Sequence, residues 1–499
     1  MSISTIASPL GLDPSRDELV AVLNAQRAEY MEEGVPGVAA RLNRIDRFAA
    51  AVLEYADELS EALNEDFGTR SRAANLGSDI VCIVSEVAGI RANLGVWATD
   101  IAVAGSENTD TPAFIQVRPK GVVGVIGPWN FPVGLVVIPT LEALAAGNRV
   151  MIKFSDIPAR TAEVFARAVA SRMRPEEVVV VRGGVATASA FSDLPLDHLI
   201  FTGSPTIGTV VAEAAGRNLV PVTLELGGKN PVVVTDRADL RMAATRIAGA
   251  RLVNGGQICL CPDYVFVPAA RVEDFIHFYG DAVRLYFPTY RDNPTAVSII
   301  NERNFDRVNG LIEDAREQGA TVYSFAPDAE GEMLPDRTRR KIAPTLLTGV
   351  TEDMAVASEE IFGPVIVVRP YSDLREVIGY INSRPSPLAA YWFGDDDADF
   401  REFLRHTTSG GVTRNDIALH WRVDGAPSGG IGRSGMGAYT GKVGFDTFSH
   451  HRTVAVANAE SAMAARILQP DGGTAAAEAI SGIIAQAREE IVARIASTE

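Results

Sequence analysis

The segment Asn254-Gly-Gly-Gln-Ile-Cys259-Leu-Cys261 sets two thiols in a glycine-rich stretch. A thiolate is both a strong nucleophile and a metal ligand, so chemistry is sought here first. Zinc does not suit the pattern. One residue separates the two cysteines, the chain has three cysteines in all, and its six histidines are scattered apart from His450-His451. A cysteine-protease base would need a histidine in a recognisable partner motif, and none is found. Taken alone, a cysteine in such a place is more often buried packing. Glycine-rich turns suggest a second chemistry. Gly203-Ser-Pro-Thr-Ile-Gly208 ends an apolar run and opens a helical one, and the free N–H groups of such a turn suit a phosphate. It lacks the Gly-Lys-Ser/Thr ending of a P-loop. Gly121, Gly124 and Gly127 fall three apart and do not match the dinucleotide fingerprint. Each turn by itself reads as packing.

The elements that must position these residues change character along the chain. Up to about residue 100 the pattern is helical. Leu42, Ile45, Ala49, Val52, Ala56, Leu59 and Leu63 recur at three- and four-residue steps, with Gly68 as a C-terminal stop. Pro112 to Pro119 reads as a short extended segment. From Gly121 strands and helices alternate: strands at 121–128, 149–154, 177–182, 198–201 and 221–226, helices at 135–147, 161–173 and 206–217. Pro139 is tolerable only near the first turn of its helix. Continuous β-branched runs between helices are the signature of a parallel sheet covered on both faces, with ligands beyond the carboxyl ends of its strands. A second α/β region runs from about Asn230 to Phe445. Glycines crowd the stretch Gly425 to Gly444, which predicts loops and close backbone approach. In the tail, Ile480, Ile483, Ile484, Ile491 and Ile495 share one helical face, which predicts an amphipathic helix packed on protein, of the same subunit or of a partner.

The chain has 499 residues, 47% hydrophobic and 22% charged, a globular balance. The net charge is −17, which disfavours a nucleic-acid partner. Three cysteines cannot build a disulfide framework, which points to a reducing cytosol. The apolar stretch Leu135 to Ala146 is too short to span a bilayer and contains Glu142, and Met1 to Glu18 has no signal-peptide pattern, so neither membrane nor export is expected.

Four motifs occur in order: Pro128-Trp-Asn-Phe-Pro132, Leu224-Glu-Leu-Gly-Gly-Lys229, Asn254-x-Gly-Gln-x-Cys259 and Glu359-Glu-Ile-Phe-Gly-Pro364. Gly432-x-Ser-Gly-x-Gly437, Gly441-Lys-x-Gly-Phe445 and Thr447-Phe-Ser449 follow. In these motifs and their spacing the chain resembles the aldehyde dehydrogenase superfamily, in particular its class 3 and coniferyl-aldehyde-dehydrogenase-like branch, from about Leu42 to Val456. The resemblance implies Cys259 as nucleophile, Asn130 as oxyanion donor together with the Cys259 backbone N–H, and Glu225 as the base that activates water. The chemistry fits. A thiolate attacks the aldehyde carbonyl, the negative oxygen needs preorganised donors, hydride leaves to a nicotinamide, and the remaining thioester needs a base of raised pKa for hydrolysis.

The same resemblance implies that Lys153 and Asp156 hold the adenosine ribose, that Gly203, Ser204 and Gly208 face the pyrophosphate, and that Trp129, Leu226, Glu360 and Phe362 frame the nicotinamide end. An acidic residue at the ribose accepts from a free 2′-OH and repels a 2′-phosphate, which favours NAD; Asp is one methylene shorter than the usual Glu, which leaves room for NADP. Phe131, Trp421 and Ser428 would line the aldehyde pocket. Ser428 stands where the branch commonly carries Phe, suggesting a roomier or more polar site, and Thr440 where it commonly carries His. Cys261 reads as core packing or as a redox partner of Cys259, although two positions apart on one strand is poor disulfide geometry.

The expected fold is α/β of the aldehyde dehydrogenase type. A Rossmann-type cofactor domain (1–110 and 121–226) joins a second α/β catalytic domain (227–444), a small β oligomerisation arm (111–120 and 445–456) and a helical C-terminal extension (457–499). The expected function is NAD(P)-dependent oxidation of an aldehyde, aromatic or long-chain, to the carboxylic acid. No metal is expected, the partner is a small aldehyde, and the assembly is a homodimer or a tetramer. Alternatives are a CoA-acylating dehydrogenase, against which Glu225 argues since thiolysis needs no water-activating base, and a catalytically silent binding protein on the same fold.

Overall fold

The structure is a computed structural model that describes residues 10–108, 111–423, 425–456 and 473–497. The chain forms two compact units. One takes in Pro119–His450 and the N-terminal segment up to Ala98; the other takes in Thr99–Arg118 and the C-terminal segment from His451.

The β-branched runs after Gly121 become the first unit's six-stranded sheet. Its order is β15 (Gly435–Met436), β7 (Val222–Leu226), β6 (His198–Gly203), β3 (Val122–Ile126), β4 (Arg149–Lys153) and β5 (Val178–Val181). All pairs are parallel except β15 with β7. Val178 to Val181 and Val122 to Ile126 are buried at every position, as a sheet sandwiched between helices requires. In chain order the strands run outward from β3 to β5 and then return to the other side of β3 as β6. The sheet therefore has a topological switch point beyond the carboxyl end of β3, where Gly127-Pro128-Trp129-Asn130 begins.

Helix Gly134–Ala146 follows that segment and is buried on nearly every side. Pro139 is its sixth residue, past the first turn to which the sequence confined it. The ring removes the bond that residue 139 would give to the Leu135 carbonyl, and close packing all round holds the helix together. The period from Leu42 to Leu63 reads as one helix but makes two, Val38–Glu54 and Ala56–Phe67. The break at Tyr55 keeps Ile45, Val52, Leu59 and Leu63 all facing inward. Gly68 ends the second with φ +79°.

The stretch Arg72–Trp97 is long and apolar enough to cross a membrane by length and composition, which the sequence reading overlooked. In this fold it carries the fully buried Asp79, paired with Arg70 at 2.9 Å, and turns Ile83, Ile90 and Leu94 into the interior. One face is thus packed inward, while Val81, Val84 and Val96 on the stretch remain exposed.

A seven-stranded sheet completes this unit. Its order is β10 (Thr321–Ser324), β11 (Thr345–Thr348), β12 (Val365–Tyr371), β9 (Pro262–Pro268), β8 (Asn230–Val234), β13 (Ala389–Phe393) and β14 (Gly411–Arg414). Alternate residues feed two cores: Val232, Val234, Val265 and Val267 on one face, Val233, Tyr264 and Phe266 on the other. The second unit has a three-stranded sheet, β1 (Ile101–Ala102), β2 (Ala113–Pro119) and β16 (Ser449–Ala455), and the helix Thr474–Ala496. The helix expected in the tail is present. Its Ile480, Ile483, Ile484, Ile491 and Ile495 are exposed, however, so the expected packing on protein is not made by the described residues of one chain. Residues 457–472 of the expected extension lie outside the described residues.

Candidate active site

Helix Leu240–Leu252 ends in a left-handed reversal at Asn254 (φ +51°), Gly255 (φ +62°) and Gly256 (φ +77°). A Cβ on Gly256 would lie 2.1 Å from the Gly363 carbonyl oxygen, and one on Gly255 2.9 Å from that of Val297. Only glycine permits both the dihedral and the approach. The reversal brings Cys259, half-buried, into a turn just before β9.

Side chains from distant elements pin this turn. The Asn130 amide donates to the Gln257 carbonyl at 3.0 Å, and Asn254 donates to the Asn130 carbonyl at 3.1 Å. Gln257 donates to Asn254 and Ser298 carbonyls and accepts from Ile300 N–H. Asn230, the first residue of β8, donates to the carbonyls of Cys259 (2.7 Å) and Cys261 (2.9 Å) and accepts from Ala389 N–H. The Tyr391 hydroxyl donates to the Leu260 carbonyl at 2.6 Å. The segment bearing Asn130 is held from the far side too, since Asp79 accepts from the N–H groups of Val133 (3.0 Å) and Gly134 (3.2 Å).

Glu225 sits in β7 opposite Gly435 of β15, 4% exposed, with neither carboxylate oxygen in a hydrogen bond. Burial raises its pKa well above the ordinary carboxylate range. Burial likewise pushes the Cys259 thiol up to about 12, with the nearby Glu360 and Glu225 adding to the rise. The Cys259 thiol, the Asn130 amide and the Glu225 carboxyl of raised pKa are thus gathered near one turn. Among the described residues no cluster of side chains could hold a metal ion.

The sequence profile described as the aldehyde dehydrogenase family matches residues 19–454. The chain belongs to the aldehyde dehydrogenase family. The coniferyl aldehyde dehydrogenase of Pseudomonas sp. is 40% identical over 89% of this chain and 92% of its own length. The rat "aldehyde dehydrogenase, dimeric NADP-preferring" is 35% identical over 83% of this chain and 89% of its own. Among solved structures, the substrate-bound Staphylococcus aureus AldH superposes with a TM-score of 0.85 at 29% identity, covering 93% of this chain and 99% of that one. The chain therefore has the aldehyde dehydrogenase fold and is an NAD(P)-dependent aldehyde dehydrogenase.

Of the residues expected to face the dinucleotide of this aldehyde dehydrogenase, Trp129, Lys153, Gly203, Ser204 and Leu226 stand at or just beyond the carboxyl ends of strands of the six-stranded sheet, while Glu360 and Phe362 lie in the segment before β12. Lys153 ends β4, buried, with its ammonium on the Phe154 carbonyl at 2.8 Å and the exposed Asp156 nearby. Ser204 caps the helix Pro205–Arg217, and Gly203 ends β6. A Cβ on Gly208 would fall 2.6 Å from Leu226, so that helix lies close on the sheet with its N-terminus at the switch point, a cradle that suits a pyrophosphate. Trp129 and Phe362 meet edge to face at 5.3 Å. Glu360 packs so tightly on Gly227 that a Cβ there would fall 2.2 Å from its carboxylate, and burial raises its pKa to about 8.

Of the residues expected to line the aldehyde pocket, Phe131 lies under the Arg70 guanidinium, 5.3 Å from ring centre to carbon, and Trp421 meets Tyr439 edge to face at 5.8 Å. Ser428 is buried and bridges to Tyr439 through both backbone groups, and its hydroxyl accepts from Thr440 at 3.2 Å. The two departures from the family pattern, Ser428 and Thr440, are thus bonded to one another. Cys261 is buried, its thiol directed at the Ala250 carbonyl, a packing position.

Sequence reasoning missed the residues that hold these groups. Lys229 pairs with Asp263 and donates to the Val356 and Glu359 carbonyls, Asp263 accepts from Ile361 N–H, and Arg307 donates to the Glu360 and Ile361 carbonyls. Together they clamp the segment bearing Glu360. Lys229 and Gln257 lie inside quoted motifs and Asn230 follows one, so a signal existed. Nothing in the sequence marks Asp263, Arg307 or Asp79.

Proposed function

We propose that this enzyme oxidises aromatic aldehydes of the hydroxycinnamyl or benzaldehyde kind to their acids, preferring NAD, with Cys259, Asn130 and Glu225 as its catalytic residues. The observation that supports it most is the convergence of Asn130, the pinned Cys259 turn and the unpartnered Glu225 carboxyl on one site. The names of the coniferyl relatives support the substrate class.

The Cys259 thiol gives up its proton to solvent and reacts as the thiolate, while Glu225 is kept for the second half-reaction. The sulfur adds to the carbonyl carbon, and the oxygen becomes anionic. Asn130, already oriented by its bond to the Gln257 carbonyl, donates to that oxygen. The nicotinamide supplies the hydride acceptor. What remains is a thioester on Cys259. Glu225 then takes a proton from water as the water oxygen adds to the thioester carbon; the acid leaves as the sulfur departs as a thiolate, and Glu225 gives its proton up to solvent before the next turnover.

Lys153 and Asp156 would hold the adenosine ribose, and Asp156 would disfavour a 2′-phosphate. Ser428, smaller than phenylalanine, would leave room for a ring. The sheet of β1, β2 and β16 would serve a homodimer, and three free thiols suit a reducing cytosol. A turnover screen of acetaldehyde, benzaldehyde and coniferaldehyde with NAD and NADP tests the reading. Coniferaldehyde with NAD should give the highest kcat/KM; a preference for acetaldehyde would reject the substrate class.

A further inference from the structure

The family profile matches from residue 19, and Asp13 lies ahead of that match. The structure nevertheless ties Asp13 to the edge where the adenosine ribose is expected. Leu12 forms a parallel bridge with Arg182, the residue after β5, and the Asp13 N–H donates to the Arg182 carbonyl at 3.1 Å. The preceding carbonyl, that of Val181, accepts from Phe154 N–H at 3.1 Å on the side of β4, where Val181 is in register with Lys153. Successive carbonyls of a strand point to opposite sides. The Leu12–Asp13 segment therefore extends the sheet at the outer edge of β5, two strand spacings or about 10 Å from β4. The side chain grips the loop that leaves β5. Asp13 Oδ1 accepts from Gly184 N–H at 2.8 Å and from the Thr187 hydroxyl at 3.1 Å, at the start of the helix Val185–Ser192. A Cβ on Gly183 would fall 2.6 Å from that oxygen. Asp13 itself is held at φ +52°, a left-handed conformation that costs energy in any residue but glycine. Both side-chain bonds fall on one oxygen, and the residue is exposed. An asparagine would hold the loop as well, so the bonds do not account for the negative charge. Two acidic groups bear on the Lys153 ammonium, Asp156 and Asp13.

We propose that Asp13 is a specificity-determining residue for the dinucleotide, a second carboxylate beside Asp156 whose charge acts through space against a 2′-phosphate. The proposal rests on the reading that Lys153 and Asp156 hold the adenosine ribose. Ligands of such sheets lie beyond the carboxyl ends of the strands. Lys153 and Asp156 stand there at the end of β4, and the Gly183–Gly184 loop that Asp13 grips stands there at the end of β5. NADP brings a further phosphate to that end, about two negative charges at neutral pH. Asp156 is one methylene shorter than the glutamate usual in the family, and a second carboxylate makes up for its shorter reach. Over about 10 Å a single charge gives an effect of several-fold rather than a block, and one that fades as salt shortens the screening length. The role needs no direct contact with the cofactor, which is why an exposed residue outside the family motifs can fill it.

The test measures the Kd of NAD and of NADP by calorimetry on the full-length enzyme and on Asp13→Asn, Asp13→Glu and Asp156→Ala. Asparagine keeps an oxygen for Gly184 and Thr187 and removes only the charge. At about 20 mM salt Asp13→Asn should bind NADP roughly fivefold more tightly, with NAD nearly unchanged, and at about 500 mM salt the gain should vanish. Asp13→Glu restores the charge and should behave as the wild type. Equal shifts for both cofactors in Asp13→Asn overturn the proposal, because the carboxylate would then only anchor the loop. A gain for NADP that persists at high salt also overturns it, since a screened field cannot produce that. Asp156→Ala separates the proposal from the reading beneath it. If Asp156→Ala moves the NADP/NAD ratio and Asp13→Asn does not, the role of Asp13 alone is overturned. If neither moves it, the placing of the ribose falls, and the role of Asp13 with it.

Discussion

Around Cys259 the backbone carbonyls are taken up by donors from elsewhere in the chain: Asn230 on those of Cys259 and Cys261, Tyr391 on that of Leu260, Asn130 on that of Gln257. Around Glu225 the reverse holds, because both carboxylate oxygens are buried and bonded to nothing. In the proposed reaction the turn needs geometry, since attack on a carbonyl tolerates little misplacement, and hydrogen bonds between fixed elements supply it. In the role proposed for it the carboxyl needs a high proton affinity, and donors would remove it by stabilising the charged form. One region is made rigid by satisfied polar groups, and the other is made basic by leaving polar groups unsatisfied.

The contrast can be broken most severely at the sulfur. Cys259→Ser should lose turnover while cofactor affinity stays nearly intact, because an alcohol is a poor nucleophile without a paired base. Retention of more than about a tenth of the wild-type rate would show that the pinned turn does not present the nucleophile. Glu225→Gln tests the other region. It should still pass hydride once, giving a burst of about one reduced cofactor per site and an acyl adduct on the Cys259 peptide by mass spectrometry. A missing burst would mean that Glu225 mainly deprotonates the thiol. In the wild type the steady rate should rise with pH as the raised carboxyl of Glu225 loses its proton, and the glutamine variant should lose that rise.

Asn230→Ala sharpens the comparison, since it unpins the turn without touching the sulfur. Three buried hydrogen bonds go, and unfolding in denaturant should show a loss of about 2–3 kcal/mol. Unchanged stability would mean that other bonds carry the turn. Smaller effects are expected away from both regions. Asp156→Ala should raise the NADP/NAD ratio of kcat/KM, and an unchanged ratio would remove Asp156 from the ribose site. Ser428→Phe must break the bond from Thr440 and fill space; it should slow coniferaldehyde a few-fold more than acetaldehyde. Equal losses on both would place Ser428 outside the pocket.

Much of this was legible in residues 121–226. Runs such as Val178 to Val181 are buried on both faces, so their hydrophobicity is continuous and each strand announces itself locally. The split at Tyr55 and the place of Pro139 were not legible. Both keep the apolar period that the sequence displays, and the deviation is decided by what the helix packs against. The Ser428–Thr440 bond joins two departures that the sequence shows only separately.

By itself the sequence determined the order of strands and helices, the family, and the residue types proposed as nucleophile, donor and base, because periodicity and short motifs are local properties of the chain. Only the tertiary structure decided which groups are satisfied and which are left bare. That Asn230 and Asp79 hold the two sides of the site, and that Glu225 and Glu142 are buried without a bonded partner, depends on elements far apart in the chain, as Asn230 and Ala389 are, 159 residues from one another. Burial and hydrogen-bond satisfaction arise when such elements pack together, and no local pattern encodes them.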